Sequence, residues 1–233
     1  MYMGGNVNVL IFGPPGSGKS THSRRIVERY GLTYISSGDI IRNEIMKGTE
    51  LGRELERYIA RGDLIPDTVV NTLIISRLRR DRRNFIIDGY PRTAEQVLAF
   101  ENYLYDHGVA LDLAMEIFIS KEESVRRVAG RRICPKCGEV YHVTYNPPRV
   151  PGVCDVCGSR LVQREDDRRE IVERRYDLYV SNMAPIIKFY KKHGLYVRID
   201  GHGSISEVWE RIRPLLDYIR ARESSGQRLS ESL

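Results

Sequence analysis

The stretch Gly13 to Thr21, Gly-Pro-Pro-Gly-Ser-Gly-Lys-Ser-Thr, constrains this chain more than any other. The apolar run Val7-Asn8-Val9-Leu10-Ile11-Phe12 leads directly into it and a helical pattern follows. Strand, Gly-rich loop and helix in that order are the beginning of an α/β fold with a parallel sheet. In such a loop Gly13, Pro14, Pro15, Gly16, Ser17 and Gly18 let backbone N–H groups turn inward around a polyphosphate, and the helix N-terminus adds its partial positive charge. Lys19 then reaches the β- and γ-phosphates, while Ser20 or Thr21 holds Mg²⁺ or a phosphate oxygen.

Switches, motors, pumps and kinases all use such loops, so later segments must decide between them. Ser36-Ser37-Gly38-Asp39 follows a short apolar strand at Thr33 to Ile35 and opens a helix carrying Arg42, which suggests a second anion site. Phe85-Ile86-Ile87-Asp88 reads as a buried parallel strand ending in a carboxylate, followed by Gly89-Tyr90-Pro91-Arg92. An Asp at that strand end, beside the phosphate loop, can hold a water on Mg²⁺. Arg127 and Arg131 are spaced i,i+4 and are expected on one face of a helix, and Arg164-Glu165-Asp166-Asp167 with Arg175 come after a cysteine-bearing insertion.

Cys134-x2-Cys137 and Cys154-x2-Cys157 use all 4 cysteines of the chain, 16 residues separate the pairs, and Gly138 or Gly158 follows each. That is the spacing of two knuckles closing one tetrahedral Zn²⁺ site. Two disulfides are the alternative, disfavoured in a chain without a secretory signal. With no histidine beside the pairs the zinc is expected to be structural, and the histidines are read as ordinary residues in strands and turns. The segment from about Ile133 to Gln163 is rich in Pro and Gly and too small to bury a core of its own. Hinges are expected near Arg131-Arg132 and Gln163-Arg164, so that a closing lid carries arginines over the site and excludes water.

From about Val7 to about Leu216 these motifs together resemble the adenylate kinase family, in its long-lid form with a zinc-binding lid. The resemblance implies reversible transfer of a phosphoryl group from ATP to AMP, giving two ADP. It implies that Ser37, Arg42, Ile65, Gly89, Arg92 and Gln96 bind AMP. Gly13 to Thr21 and Arg127 would bind ATP, with Tyr145 beneath the adenine or simply in a strand. Arg127, Arg131, Arg164 and Arg175 would surround the phosphates, with Arg164 and Arg175 also reaching AMP. Asp88 would organise Mg²⁺, and Asp166 and Asp167 would position the arginines. The abundance of arginine has its own physical reason, because phosphoryl transfer is catalysed by positioning and charge stabilisation, which a planar, permanently charged donor fork supplies. Lys121 to Arg175 holds 13 basic and 9 acidic residues, so +4 of the net +6 falls there.

Two positions depart from the family pattern: Ser20 stands where Gly is usual and could ligate Mg²⁺ directly, and Ser37 replaces a common Thr. Gln96 has two readings. In Thr93-Ala94-Glu95-Gln96 its amide could close a capping box onto the Thr93 N–H, or present a donor and an acceptor to an adenine edge; base reading is favoured.

The expected architecture is a five-stranded parallel sheet wound on both faces, with strands at about 7–12, 33–36, 85–88, 114–119 and 196–199. Helices are expected at about 19–30, 39–47, 50–61, 67–81, 93–107, 121–131, 166–192 and 205–222, the last kinked or restarted at Pro214. The core is expected at 1–38, 71–131 and 165–222, an AMP-binding arm at 39–70, the zinc lid at 132–164 and a disordered tail at 223–233. Met1-Tyr2-Met3-Gly4-Gly5 lacks a signal-peptide core and no run is long enough to span a membrane, so a cytoplasmic monomer is expected. Arg and Glu enrichment hints at a heat-adapted source. GTP:AMP transfer or another nucleoside monophosphate kinase is a close alternative. A nucleic-acid-binding zinc-ribbon ATPase is a remote one, suggested by pI ≈ 9.2 but lacking an aromatic stacking platform.

Overall fold

Four short apolar strands and a longer fourth-in-order neighbour make the scaffold, and their register explains the site. The computed structural model describes residues 7–80 and 83–224. Strands β1 (Val9–Phe12), β2 (Thr33–Ser36), β3 (Phe85–Asp88), β4 (Leu113–Phe118) and β7 (Tyr196–Asp200) form one parallel sheet in the order β2-β3-β1-β4-β7. Both faces are covered, so the strands read as continuous apolar runs and alternate residues serve opposite layers. Leu10, Phe12, Ile35, Phe85 and Ile87 pack toward α2 (Ser37–Met46), α4 (Asp67–Leu78), α5 (Ala94–Asp106) and α7 (Arg169–Lys192). Val9, Ile11, Ile86 and Met115 pack toward α1 (Lys19–Tyr30) and α8 (Ile205–Ser224). Helix α3 (Glu50–Arg61) packs against α2, and α6 (Lys121–Ala129) precedes the insertion, whose strands β5 (Arg131–Ile133) and β6 (Val140–His142) pair antiparallel.

Chain punctuation accounts for most element ends. Left-handed Gly18 and Gly31 bracket α1, and the Ser36, Thr49, Thr93 and Ser120 side chains accept from backbone N–H groups to start α2, α3, α5 and α6. Several expectations are corrected. Arg127 and Arg131 do not share a helix face: α6 ends at Ala129, Gly130 caps it, and Arg131 enters extended β5. Helix α2 starts at Ser37 because Ser36 caps it, and α4 ends at Leu78. Residues 165–167 form a single 3₁₀ turn ahead of α7. Pro214 neither stops nor restarts α8, which runs continuously through it. The readings of Met1 to Gly5 and of the tail beyond Ser224 lie outside the described residues.

One buried polar side chain closes the lower edge of the sheet. Asn8, 5% exposed, donates from Nδ2 to the Ala110 carbonyl at 2.7 Å and accepts from Asn84 N–H at 2.9 Å, tying the entries of β1, β3 and β4 together. Asn8→Ala leaves that carbonyl and that N–H unpaired and is expected to cost about 1–3 kcal/mol. Scanning calorimetry should then show the midpoint falling by roughly 2–4 °C per kcal/mol in a chain of this size.

Candidate active site

The β1–β3 pairing sets Ile11 beside Asp88, so the phosphate loop leaving β1 and the carboxylate ending β3 meet at the same edge of the sheet. Close packing selects glycine in the loop: a Cβ on Gly13 would lie 2.5 Å from the Ile117 carbonyl and 2.4 Å from Ser17 Oγ. Ser124 on α6 donates to the Pro15 carbonyl at 2.6 Å and holds the loop from behind. Ser17 Oγ is buried there without a protein partner. Lys19 is lowered to about 8, chiefly by burial, with Asp88 opposing and Arg92, Arg175 and Arg131 adding to the fall. Ser20 Oγ donates to Asp88 Oδ2 at 2.5 Å and Tyr34 OH donates to the same oxygen at 2.9 Å. A carboxylate and a hydroxyl beside a phosphate loop are the hard oxygen donors that suit Mg²⁺.

Beside the loop lies an open cleft lined by Lys19, Ser37, Arg42, Ile65, Gly89, Arg92, Gln96 and Arg175 among others. Ser37 Oγ donates to the Gly89 carbonyl at 2.9 Å and Arg92 Nε donates to the same carbonyl at 2.6 Å. Gly89 is required at this crossing: its φ is +78°, and a Cβ would meet Ser37 Oγ and Arg92 Nη2 at 2.9 Å. Arg42 is held by Asp39 at 2.5 Å. The Gln96 amide is buried, donating to Asp67 Oδ1 at 2.6 Å and accepting from the Arg92 N–H at 2.8 Å. The capping-box bond to Thr93 N–H is replaced by these two, while Thr93 Oγ1 accepts from the Gln96 N–H as an ordinary cap. An amide has two donors and two acceptor sites, so one of each is left for a ligand in the cleft.

The arginines converge although they come from distant segments. Arg131 Nε donates to Asp167 Oδ2 at 3.0 Å, its Nη2 pairs with Oδ1, and Arg175 Nη1 donates to Asp166 Oδ2 at 2.6 Å. Burial opposes ionisation of Asp166, yet Arg175, Arg131 and Arg164 hold its carboxyl below the ordinary value. Arg92 falls to about 10 through burial and Arg175, and Arg164 to about 10 through burial, Arg42 and Arg131. Arg164 Nε is buried without a partner. Burial and the neighbouring guanidinium groups lower Lys19, Arg92, Arg164 and Arg175, whereas Asp167 holds Arg131 above its ordinary value against burial; Asp88, Asp166 and Asp167 only partly neutralise this shared space, a field built for a polyanion.

Arg127 stands apart from that group, on the side of α6 that faces the lid. Its Nε donates to Glu123 at 2.6 Å, its Nη2 to the Gly203 carbonyl at 3.4 Å, and its guanidinium lies 6.0 Å from the Tyr145 ring. Tyr145 stacks against His142 at 4.4 Å, and the His142 Nδ1 accepts from the N–H groups of Thr144 and Tyr145. His142 Nε2 is buried and unpartnered, and Gly130 is needed there because a Cβ would lie 2.4 Å from it. His142 lies at the end of β6, in a strand as expected. His22 lies on α1, buried beside Gly18 with Nδ1 unpartnered and pushed down to about 4, chiefly by burial and then by Arg25 and Arg127. Tyr34 and Asp67 were missed as well, each holding a site candidate through a contact between segments that no local motif announces, whereas Glu123, also missed, holds Arg127 by i,i+4 spacing within α6, a signal that sequence order does carry.

The four cysteines are free and their Sγ atoms lie within 4.8 Å of one another, a set that fits tetrahedral Zn²⁺. Cys134 to Cys157 is 3.3 Å and Cys137 to Cys154 is 3.5 Å, far beyond disulfide bonding. The knuckles repeat the same turn: Gly138 N–H donates to the Cys134 carbonyl and Gly158 N–H to the Cys154 carbonyl. Around them only Tyr141 and Leu161 join Cys134 and Cys154 in a buried cluster. Arg24 of α1 donates to Glu139 at 3.1 Å and to the Gly138 carbonyl at 3.2 Å, linking the insertion to the core.

Comparison with known proteins agrees with this geometry. The family model described as "Adenylate kinase" matches residues 11–195. An adenylate kinase from Thermococcus onnurineus is 79% identical over 217 residues, covering 93% of this chain and 97% of that protein. One from Pyrococcus furiosus is 73% identical over 218 residues, covering 94% and 99%. A more distant one, from Archaeoglobus fulgidus, is 40% identical over 217 residues, covering 92% and 100%. With its phosphate loop, converging arginines and four-cysteine insertion on one parallel sheet, this chain belongs to the adenylate kinase family.

Proposed function

We propose that the chain catalyses reversible, Mg²⁺-dependent transfer of the terminal phosphoryl group of ATP to AMP, yielding two ADP and so balancing the adenine nucleotides. The observation that carries this reading is the convergence of Lys19, Arg42, Arg92, Arg131, Arg164 and Arg175 around a cleft that runs from the phosphate loop to Ser37, Gly89 and Gln96. One polyphosphate neutralises a single loop; two facing nucleotides are what six cations, only partly offset by Asp88, Asp166 and Asp167, suit. Nucleic-acid binding is not part of this reading, because the charge is concentrated in the cleft.

In this reading the loop Gly13 to Thr21 takes the ATP phosphates, and Arg127, Tyr145 and His142 surround the donor base. Ser37, Arg42, Ile65, Gly89, Arg92 and Gln96 hold AMP, with Arg42 and Arg92 on its phosphate. Lys19, Arg131, Arg164 and Arg175 lie along the line of transfer, where donors already in place stabilise charge spread over the equatorial oxygens. Asp88 and Ser20 would hold Mg²⁺, whose charge offsets that of the β- and γ-phosphates. Residues 39–70 form the arm over AMP, and 132–164 form a lid held rigid by Zn²⁺ on Cys134, Cys137, Cys154 and Cys157. Among the described residues no helix is long and apolar enough to cross a membrane; a cytoplasmic monomer is the setting we infer.

A coupled assay with ATP and each of AMP, GMP, CMP and UMP tests the reading: diphosphate forms from AMP, with little phosphate release in the absence of acceptor. Preference for another monophosphate would overturn it. Arg164 and Arg131 separate catalysis from stability. Arg164→Ala removes a guanidinium whose Nε has no protein partner, so kcat is expected to fall roughly 10²–10³-fold with little change in thermal midpoint. Arg131→Ala strands the fully buried Asp167 side chain and is expected to cost about 3–5 kcal/mol of stability in addition to activity. Elemental analysis should find one zinc per chain. Cys154→Ser is expected to lose it, raise the KM for ATP and increase ATP hydrolysis relative to transfer.

A further inference from the structure

Asp88 is 3% exposed, and two hydroxyls from separate elements meet on the same one of its oxygens. Ser20 reaches Oδ2 from the first turn of α1 at 2.5 Å. Tyr34 reaches it from β2 at 2.9 Å. The sheet register explains the second contact. Tyr34 pairs with Ile86 and Ser36 pairs with Asp88, so Tyr34 and Asp88 lie diagonally on one face of adjacent strands. That separation is within reach of an aromatic side chain and beyond that of a short one. The Tyr34 ring also packs into the apolar layer with Ile86, which fixes where its hydroxyl points.

We propose that Tyr34 is a positioning residue for phosphoryl transfer: its hydroxyl, together with that of Ser20, locks the rotation of the Asp88 carboxylate before substrate arrives. The inference rests on the reading of Asp88 as a Mg²⁺-holding group. A carboxylate with a single hydrogen bond can still pivot about it. Two donors on one oxygen, approaching from a helix and from a strand, leave Oδ1 as the oxygen that neither hydroxyl engages and hold it in one place. Partners of this kind typically change metal affinity or activity by 10–100-fold when removed, because the ligand must otherwise be ordered at the moment of binding. The competing explanation is that Tyr34 uses Asp88 merely to satisfy its own half-buried hydroxyl, in which case only stability responds to its loss.

The experiment is calorimetric titration of the full chain with the bisubstrate inhibitor diadenosine pentaphosphate, with and without Mg²⁺, for wild type, Tyr34→Phe and Asp88→Asn. Tyr34→Phe is expected to leave Mg²⁺-free affinity unchanged and to reduce the Mg²⁺-dependent gain in affinity roughly tenfold. In the coupled assay the Mg²⁺ concentration for half-maximal rate should rise by a similar factor while the KM for AMP stays constant. If Tyr34→Phe retains the full Mg²⁺-dependent gain while Asp88→Asn loses it, the role of Tyr34 is overturned and that of Asp88 stands. If Asp88→Asn retains the gain, the underlying reading of Asp88 fails. Tyr34→Met, which also fills the apolar layer without a hydroxyl, gives the same readout should the phenylalanine ring pack poorly.

Discussion

The adjacency of β1 and β3 is the constraint on which the rest of this structure depends. A chain that ran β1, β2 and β3 in simple succession across the sheet would set the phosphate loop and Asp88 two strands apart. Here β2 goes to the edge and β3 returns to lie beside β1, so the loop and the carboxylate share one crevice at the carboxyl ends of the strands. The tie made by Asn8 at the opposite ends of β1, β3 and β4 holds that order. The same crossover opens space on the other side of Asp88, and α2 and α3 close over it to make the cleft.

Collecting six cations in that crevice costs stability, and the way each is restrained reflects its place. Arg131 and Arg175 lean on Asp167 and Asp166, carboxylates supplied by a single 3₁₀ turn between the insertion and α7. Arg92 is aimed by the Gly89 carbonyl, a neutral acceptor that directs the guanidinium without cancelling its charge. Arg164 has neither kind of restraint at Nε and sits at the end of the insertion, where closure over a polyanion supplies the missing partner in the proposed reaction. In the proposed reading, self-repulsion among these cations would be relieved by the phosphates of the substrates.

The insertion solves a different problem. Its buried cluster comprises Cys134, Tyr141, Cys154 and Leu161, too little apolar surface to order thirty residues. Four cysteines clustered to suit one Zn²⁺ would replace that core in the proposed reading, and the Tyr141 hydroxyl lies 3.6 Å from Cys154 Sγ while accepting from the Asp155 N–H. Its strand β5 carries Arg131 and its exit carries Arg164, so in the proposed reading closure of the insertion would also place these two charges.

Much of this was legible locally. The phosphate loop, the apolar strands, the helix start at Thr93, and the paired Cys-x2-Cys knuckles are contiguous patterns whose physics operates within a few residues. Such patterns pointed to the α/β class, a phosphate-binding loop, a four-cysteine cluster suited to Zn²⁺ and most element positions. Arg131 shows the limit of that reasoning, because i,i+4 spacing implies a shared helix face only while the helix continues, and Gly130 ends it. Gln96 shows another: its spacing from Thr93 fits a capping box, yet Asp67, 29 residues away, and the Arg92 backbone claim the amide. His142, Tyr34 and Asp67 acquire their places through pairing across strands and helices, a relation between segments that sequence order does not encode. The sequence by itself determined which chemistry this chain carries; the tertiary structure decided which atoms face each other, because sheet register and helix packing are set by the whole buried core rather than by neighbours along the chain.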